Sequence, residues 1–253
     1  MEALILAAGY ATRLGELTQD RAKPLLRIGG QPMIDYIFGQ LAQMSEVRRV
    51  NVVTNEKFAS QFIEWAARHG AAKPISVIND GTSSDDDKLG AIGDIRLVLQ
   101  RNQINDDLLI LAGDNLFDFE LRQFVDFFAA HGSSVGLYDT GDLEIMRQYA
   151  VVQMEPDTRR IIDFEEKPPN PKSTLAATAI YLLKGEHLRL IEHYAASGRS
   201  MDAPGHCIQW LTTQVDFYGF TIPGEWRDIG TPEQYSEACR EYEARTDSPP
   251  AVP

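Results

Sequence analysis

The feature that most constrains this chain is a regular alternation over its first 140 residues: short apolar runs take turns with segments of helical spacing. Leu4–Ala7 is a buried-type run. Met33–Met44 follows Pro32 and repeats Ile34, Ile37, Phe38 and Leu41 at helical intervals. Arg49–Thr54 (RVNVVT) is β-branched and ends at Asn55, a natural N-cap for a helix carrying Phe58, Phe62 and Trp65. A strand at Pro74–Ile78, a polar loop (NDGTSSDDDK), and a helix from about Gly90 to Arg101 come next. A strand at Asp107–Ala112, a helix at Glu120–His131 and a strand at Ser134–Tyr138 complete the series. Strands that alternate with helices need crossover connections, which predicts a mainly parallel sheet covered on both faces. Such sheets bind ligands beyond the C-terminal ends of their strands, where the strand order switches.

The texture changes after about residue 149. AVVQME, RRIIDFEE and LAATAIYLL read as successive strands, an antiparallel addition to the sheet. Helices are expected at Glu186–Ala196 and Gly205–Gln214, a strand at Val215–Thr221, and a closing helix at Pro232–Arg245. No linker interrupts the pattern, so residues 1–246 are read as one domain with an elaborated second half, and the Pro-rich residues 247–253 as a flexible tail.

Bulk properties exclude some functions. The 37 acidic against 24 basic side chains leave a net charge of −13, which argues against nucleic acid or an anionic membrane as partner. Two cysteines, Cys207 and Cys239, form neither a disulfide framework nor a CxxC motif, which predicts a reducing, cytoplasmic setting. The N-terminal apolar run is too short for a signal peptide or a membrane span. The five histidines show no metal-site spacing and are read as structural.

Against this acidic background the opening turn is unusual. In LILAAGYATRLGELTQDRAKPLL, Arg13 and Lys23 flank a turn at the end of the first strand. It is neither GxxxxGK[ST] nor GxGxxG. Two readings fit the stretch alone. Gly9 supplies a left-handed residue and the cations are solvated, or the turn's backbone N–H groups and the two cations hold a phosphate chain. Three further motifs are each modest. GDN at Gly113–Asn115 puts a carboxylate at another strand end, where it either caps a turn or holds a cation such as Mg²⁺ beside phosphate. FEEKP at Phe164–Pro168 and WRDIGTP at Trp226–Pro232 read, in isolation, as charged loops.

Taken together and in this order, LAAGYATRL with KPLL, GDN, FEEKP and WRDIGTP resemble the sugar-1-phosphate nucleotidyltransferases, with glucose-1-phosphate thymidylyltransferases and their short relatives the nearest likeness. The resemblance covers about Ala3 to Ala238. It implies a doubly wound, Rossmann-like α/β fold, with a nucleotide-binding half over about 1–140 and a sugar-binding half over about 141–246. It implies Mg²⁺-dependent transfer of a nucleotidyl group from a nucleoside triphosphate to a sugar-1-phosphate, releasing pyrophosphate. By the same likeness Arg13 and Lys23 hold the triphosphate, with Leu6, Ala7, Ala8 and Gly9 forming its backbone cradle. Asp114 and Asp228 bind Mg²⁺. Lys167 meets the sugar phosphate, and Asn115, Ala150, Glu166 and Thr178 line the sugar site. The base falls to Asn79, Asp80, Gly81 and Gly90. A homo-oligomer is also in keeping with such relatives.

The chain departs from that pattern at three places. Ala11 replaces the second glycine of G-x-G-T-R, and Ala150 replaces the glycine of YGVV near the sugar. The segment NDGTSSDDDKLGAIGD is longer and more acidic than the usual base-reading segment, in which a glutamine commonly meets the pyrimidine. Asp85–Asp87 are read as a solvated loop tip. These departures keep open another phosphorylated alcohol, a cyclitol or amino sugar phosphate, and a catalytically silent regulator that binds nucleotide sugars. Retention of Arg13, Lys23, Asp114, Lys167 and Asp228 favours an active enzyme.

Overall fold

Residues 1–247 are described by the computed structural model of the chain. The flexible tail read from the sequence lies, beyond Asp247, outside the described residues. The first half runs β1 (Glu2–Leu6), a short hairpin of β2 (Arg27–Ile28) and β3 (Gln31–Pro32), α1 (Met33–Gln43) and β4 (Val50–Thr54). It continues with α2 (Ala59–His69), β5 (Ile75–Asn79), α3 (Gly90–Asn102), β6 (Leu108–Ala112), β7 (Asn115–Phe117), α4 (Leu121–His131) and β8 (Ser134–Asp139). The second half comprises β9 (Ala150–Met154), β10 (Ile161–Glu166), β11 (Leu175–Leu183), α5 (Arg189–Ala196) and α6 (Pro204–Leu211). It ends with β12 (Tyr218–Thr221), β13 (Trp226–Asp228) and α7 (Pro232–Asp247).

Nine strands form one sheet in the order β10-β9-β11-β6-β1-β4-β5, with β8 pairing β11 and β12 pairing β8. The β6-β1-β4-β5 side is parallel, as the crossovers require. β9, β10 and β11 add to it antiparallel. Alternation along β1 decides which layer each residue joins. Ala3 and Ile5 face a core built with α1, α2 and α4, and Leu4 faces the opposite core with α3, α5 and α6. Both faces are therefore covered, and the fold is doubly wound. The apolar stripes do the anchoring: Ile34, Ile37, Phe38 and Leu41 of α1 and Phe62 and Trp65 of α2 are all buried. Asn55 caps as expected, its side chain accepting from the Phe58 N–H at 3.2 Å.

Chain order places the site. The chain steps from β1 to β4 to β5 on one side of β1, then returns to lay β6 on the other. The strand order switches between β1 and β6, and the turn after β1 and the Gly113-Asp114 turn after β6 both open there. Gly113 is needed for that closeness. A Cβ on it would lie 3.0 Å from both the Leu6 carbonyl oxygen and the Pro24 ring.

Candidate active site

A cleft of about 850 Å³ opens over the switch point and reaches across the parallel strand ends. Asp114 and Asp228 line it, and Lys23, buried and not itself part of the lining, stands between these two carboxylates. Its ammonium donates to Asp114 Oδ2 at 2.5 Å and lies 3.9 Å from Asp228 Oδ1. Lys23 opens a short 3-10 turn with Pro24 behind it, and only a tenth of its side chain is exposed. Asp114 and Asp228 are 114 positions apart in sequence. They meet because β7 and β13 form a separate antiparallel ribbon, in which Asp228 pairs with Asn115. That pairing was not legible in either motif, since GDN and WRDIGTP each look like loops.

Burial and the neighbouring Asp114 charge push the Asp228 carboxyl up to about 6, while Lys23, Arg13 and Lys167 pull it back. Those three cations thus converge on one carboxylate from three separate segments. Arg13 also reaches Gly230, where an added Cβ would sit 3.4 Å from its Nη2. Asn115 is nearly fully buried, donates to Asp114 Oδ1 at 3.3 Å, and leaves its own Oδ1 without a partner. Two carboxylates beside an orphaned amide oxygen suit a divalent cation. Among the described residues no three His, Cys, Asp or Glu side chains form a metal cage. One or two carboxylates completed by phosphate oxygens is the pattern of Mg²⁺ rather than of a caged metal.

The phosphate turn is shaped differently from the first expectation. Gly9 does not take the left-handed conformation; Ala11 does, at φ 51° and ψ 39°. The Ala11 carbonyl accepts from the Leu14 N–H at 2.9 Å and from Thr18 Oγ1 at 3.0 Å, which holds a non-glycine residue where glycine fits best. A 3-10 segment, Thr12–Thr18, follows and carries Arg13 into the cleft. Leu6, Ala8 and Gly9 line the cleft, but Ala7 does not: it is buried, its N–H bound to the Val53 carbonyl at 2.9 Å.

On the second-half side Ala150, Glu166 and Lys167 all line the cleft. Ala150 pairs with Glu166 across β9 and β10. The Glu166 carboxylate lies against Gly205, where no Cβ could fit. Lys167 has φ 47° directly before Pro168, and its N–H donates to the Tyr149 carbonyl at 3.2 Å. A lysine in this strained conformation is fixed by its surroundings. Thr178 is misplaced by the sequence reading. It is fully buried and donates to the Gly136 carbonyl at 2.9 Å on the far side of β11. Side chains alternate along a strand, so Ala177, Ala179 and Tyr181 face the cleft instead.

The third arm of the cleft lies over β5 and α3. Of the residues assigned to the base, Asp80 and Gly90 line it. Asn79 and Gly81 do not, because the Asn79 side chain is engaged with Glu56 and with the Gly81 N–H. Gly90 has φ 76° and lies so close to the Met201 carbonyl that a Cβ would collide with it. Asp87 is the loop's own staple, accepting from the Ser83 and Ser84 N–H groups, which hold its carboxyl down at about 2. Asp85 lines the cleft and pairs with Lys88 at 3.4 Å. The sequence reading missed Asp94, one helical turn beyond Gly90. It is only 7% exposed and lines the cleft. Burial, and the Asp80 carboxylate with which it shares a hydrogen bond, push its carboxyl up to about 8. An acid on the helix stripe of Ile92, Ile95 and Val98 was the signal available. Tyr149 and Trp226, whose rings meet edge-on at 5.8 Å, were also missed.

Comparisons with known proteins bear on the family and the fold. The sequence pattern of the family described as nucleotidyl transferase matches residues 2–245. The chain belongs to that family. It is 27% identical over 239 residues to the bifunctional protein GlmU of Methanocaldococcus jannaschii, covering 94% of this chain and 53% of that protein. The chain thus spans about half the length of that curated relative. In fold it is similar to a crystal structure presented as a glucose-1-phosphate thymidylyltransferase from Bacillus anthracis in complex with a sucrose. That likeness has a TM-score of 0.83 at 24% identity and covers 100% of this chain and 98% of the other. Among the described residues no helix is long and apolar enough to cross a membrane.

Proposed function

We propose that this nucleotidyl transferase joins a nucleoside triphosphate to a sugar-1-phosphate, with a hexose-1-phosphate as the first expectation, and releases an NDP-sugar and pyrophosphate. The observation that carries the reading is that Arg13, Lys167, Asp114 and Asp228 line one cleft over the switch point, with Lys23 buried against the two carboxylates. A phosphate monoester is already a nucleophile at neutral pH, so the chain needs no Ser, Cys or His for attack. Its task is to bring two polyanions together and hold them in line. In the proposed step a sugar-phosphate oxygen forms a bond to the α-phosphorus. The bond from that phosphorus to the bridging oxygen breaks, and pyrophosphate leaves with the electron pair. The turn after β1, with Arg13 and Lys23, orients the triphosphate. Lys167 holds the sugar phosphate, and Glu166 stands where it can accept from sugar hydroxyls. Asp114 and Asp228 would hold Mg²⁺, which when bound neutralises phosphate charge.

The proposal takes small substrates in the cytoplasm, with neither nucleic acid nor membrane. Pyrophosphate release with Mg²⁺, crossing CTP, ATP, GTP, UTP and dTTP with a panel of sugar-1-phosphates and other phosphorylated alcohols, tests it. A strong signal in one combination supports the reaction. Release in none of them, with all five triphosphates binding, would leave the silent regulator as the better reading.

A further inference from the structure

The third arm of the cleft holds two carboxyl groups that no cation meets. Lys88, which lines the cleft, is engaged by Asp85 and Asp202 at 3.4 and 3.2 Å. Asp80 Oδ1 accepts from the Thr82 N–H at 2.7 Å and from Thr82 Oγ1 at 2.8 Å, and Thr82 Oγ1 in turn meets the Tyr10 hydroxyl at 3.0 Å. Asp94 has no such support. It is more than nine-tenths buried, and no protein donor reaches its Oδ1. Its neighbour is the Asp80 carboxyl, a second acceptor, whose charge adds to burial in raising the pKa of Asp94. Thr82 serves Asp80 Oδ1 but nothing serves Asp94 Oδ1, so the pair carries a surplus of acceptors, and both residues line the cleft. A buried acceptor without a donor is costly, unless a ligand supplies the donor.

Sheet geometry says which part of a ligand reaches them. Asp80 follows β5, two strands from β1 and on the side away from β6. Adjacent strands lie roughly 4.8 Å apart, so this arm begins about 10 Å from the phosphate turn. A nucleotide whose phosphates occupy the turn between β1 and β6 extends its base in that direction. The opposite wall is closed by main chain. The Ala91 and Ile92 N–H groups are spent on the Asp202 and Met201 carbonyls at 3.2 and 3.0 Å, so these two residues of α3 offer a ligand no main-chain donor.

We infer that Asp94, positioned by Asp80, selects a nucleobase bearing an exocyclic amino group, as in cytosine, adenine or guanine, against uracil and thymine. The inference rests on the proposed function. An amino N–H donates to the surplus acceptors. Uracil and thymine instead place carbonyl oxygens on either side of their single ring N–H, and those oxygens would face carboxyl oxygens. A site that pairs with a donor rejects an analogue lacking it because its own polar group is then left unpaired.

Equilibrium binding of CTP, ATP, GTP, UTP and dTTP with Mg²⁺ tests this without needing turnover. The wild-type protein is expected to bind at least one amino-bearing nucleotide about tenfold or more tightly than UTP and dTTP. Asp94→Leu, which removes the acceptor and suits the apolar stripe, should flatten that ratio. Asp94→Asn keeps an acceptor and gives Asp80 a permanent donor, so it should preserve it. If Asp94→Leu does not fold, Asp94→Ala serves the same purpose. Preference for UTP or dTTP in the wild type overturns the inference. So does a ratio that Asp94→Leu leaves unchanged, since a purely structural residue would shift all five affinities together. Pyrophosphate release with no base preference would overturn this inference and keep the proposed function. A clear base preference without release in any combination would do the reverse.

Discussion

Asp94→Asn should change how the protein's stability depends on pH, and the size of the change follows from burial. An aspartate in the unfolded chain titrates near 3.8, whereas in the fold Asp94 holds its proton up to about 8. Between these values the native state binds one more proton than the unfolded state, so stability falls as pH rises. The slope for one such group is about 1.4 kcal/mol per pH unit, which sets a ceiling of about 3 kcal/mol between pH 5 and pH 7. At 7% exposure little is lost to solvent, but Asp80, whose carboxyl burial also raises, shares the proton. A net effect of about 1–2 kcal/mol is therefore expected. The asparagine does not titrate, and it donates to Asp80 at every pH. Urea unfolding of both proteins at pH 5, 6, 7 and 8, read by circular dichroism, gives the difference directly. Asp228, also raised, and His187, lowered mainly by burial, contribute to both curves and cancel in the difference. The variant should gain on the wild type steadily from pH 5 to pH 8. Parallel curves would mean that Asp94 ionises freely in the fold, and the burial argument would be refuted.

Lys23→Met keeps length but leaves Asp114 and Asp228 facing one another. Discounting for side chains about a third exposed, about 2 kcal/mol of stability should be lost without Mg²⁺, and turnover should fall at least a hundredfold; urea unfolding with a chelator and a pyrophosphate assay check the two. Ala11→Gly relieves a left-handed alanine and should raise stability by about 0.5 kcal/mol, visible as a higher melting temperature, whereas a loss would show that Thr18 and Leu14 favour the conformation without strain. Thr178→Val removes a buried donor from the Gly136 carbonyl and should cost about 1–2 kcal/mol in chemical denaturation. The KM for either substrate should not move, and a raised KM for the sugar phosphate would return Thr178 to the cleft.

Much of the fold was legible because periodicity reports burial directly. Leu4 and its neighbours in β1, the stripe of α1 and the Asn55 cap all stand where spacing put them. The positions that failed needed information that spacing lacks. Thr178 lies in a run of nine residues buried in varying degree, where hydrophobicity does not say which face is the cleft. Gly9 and Ala11 differ in which backbone is left-handed, and composition favours glycine while the Thr18 bond favours Ala11. The β7–β13 ribbon joins residues more than a hundred apart and only three long, too short for any strand pattern. Asp94 was hidden by the opposite bias. A lone acid on a helix is ordinarily solvated, and only the tertiary fold shows this one turned inward.

On the proposed function, the charge pattern of the cleft explains how an acidic protein would accept two anionic substrates. Arg13, Lys23 and Lys167 outnumber Asp114 and Asp228 at the switch point by one, against −13 for the whole chain. Lys23 carries most of that balance, since it is the cation in contact with Asp114 and also within reach of Asp228. A divalent ion arriving at the two carboxylates would weaken Lys23's hold on them and free its ammonium to turn toward phosphate. Metal and triphosphate binding would then be coupled through one lysine, and linkage would make the coupling reciprocal. The base arm, by contrast, carries no net positive charge: Asp80, Asp85, Asp94 and Asp202 face only Lys88. On the proposed function, phosphates would be drawn to one end of the cleft and repelled from the other, which would orient a nucleotide with its base over β5 and α3. The acidic loop that departs from the family pattern would thereby take part in substrate orientation.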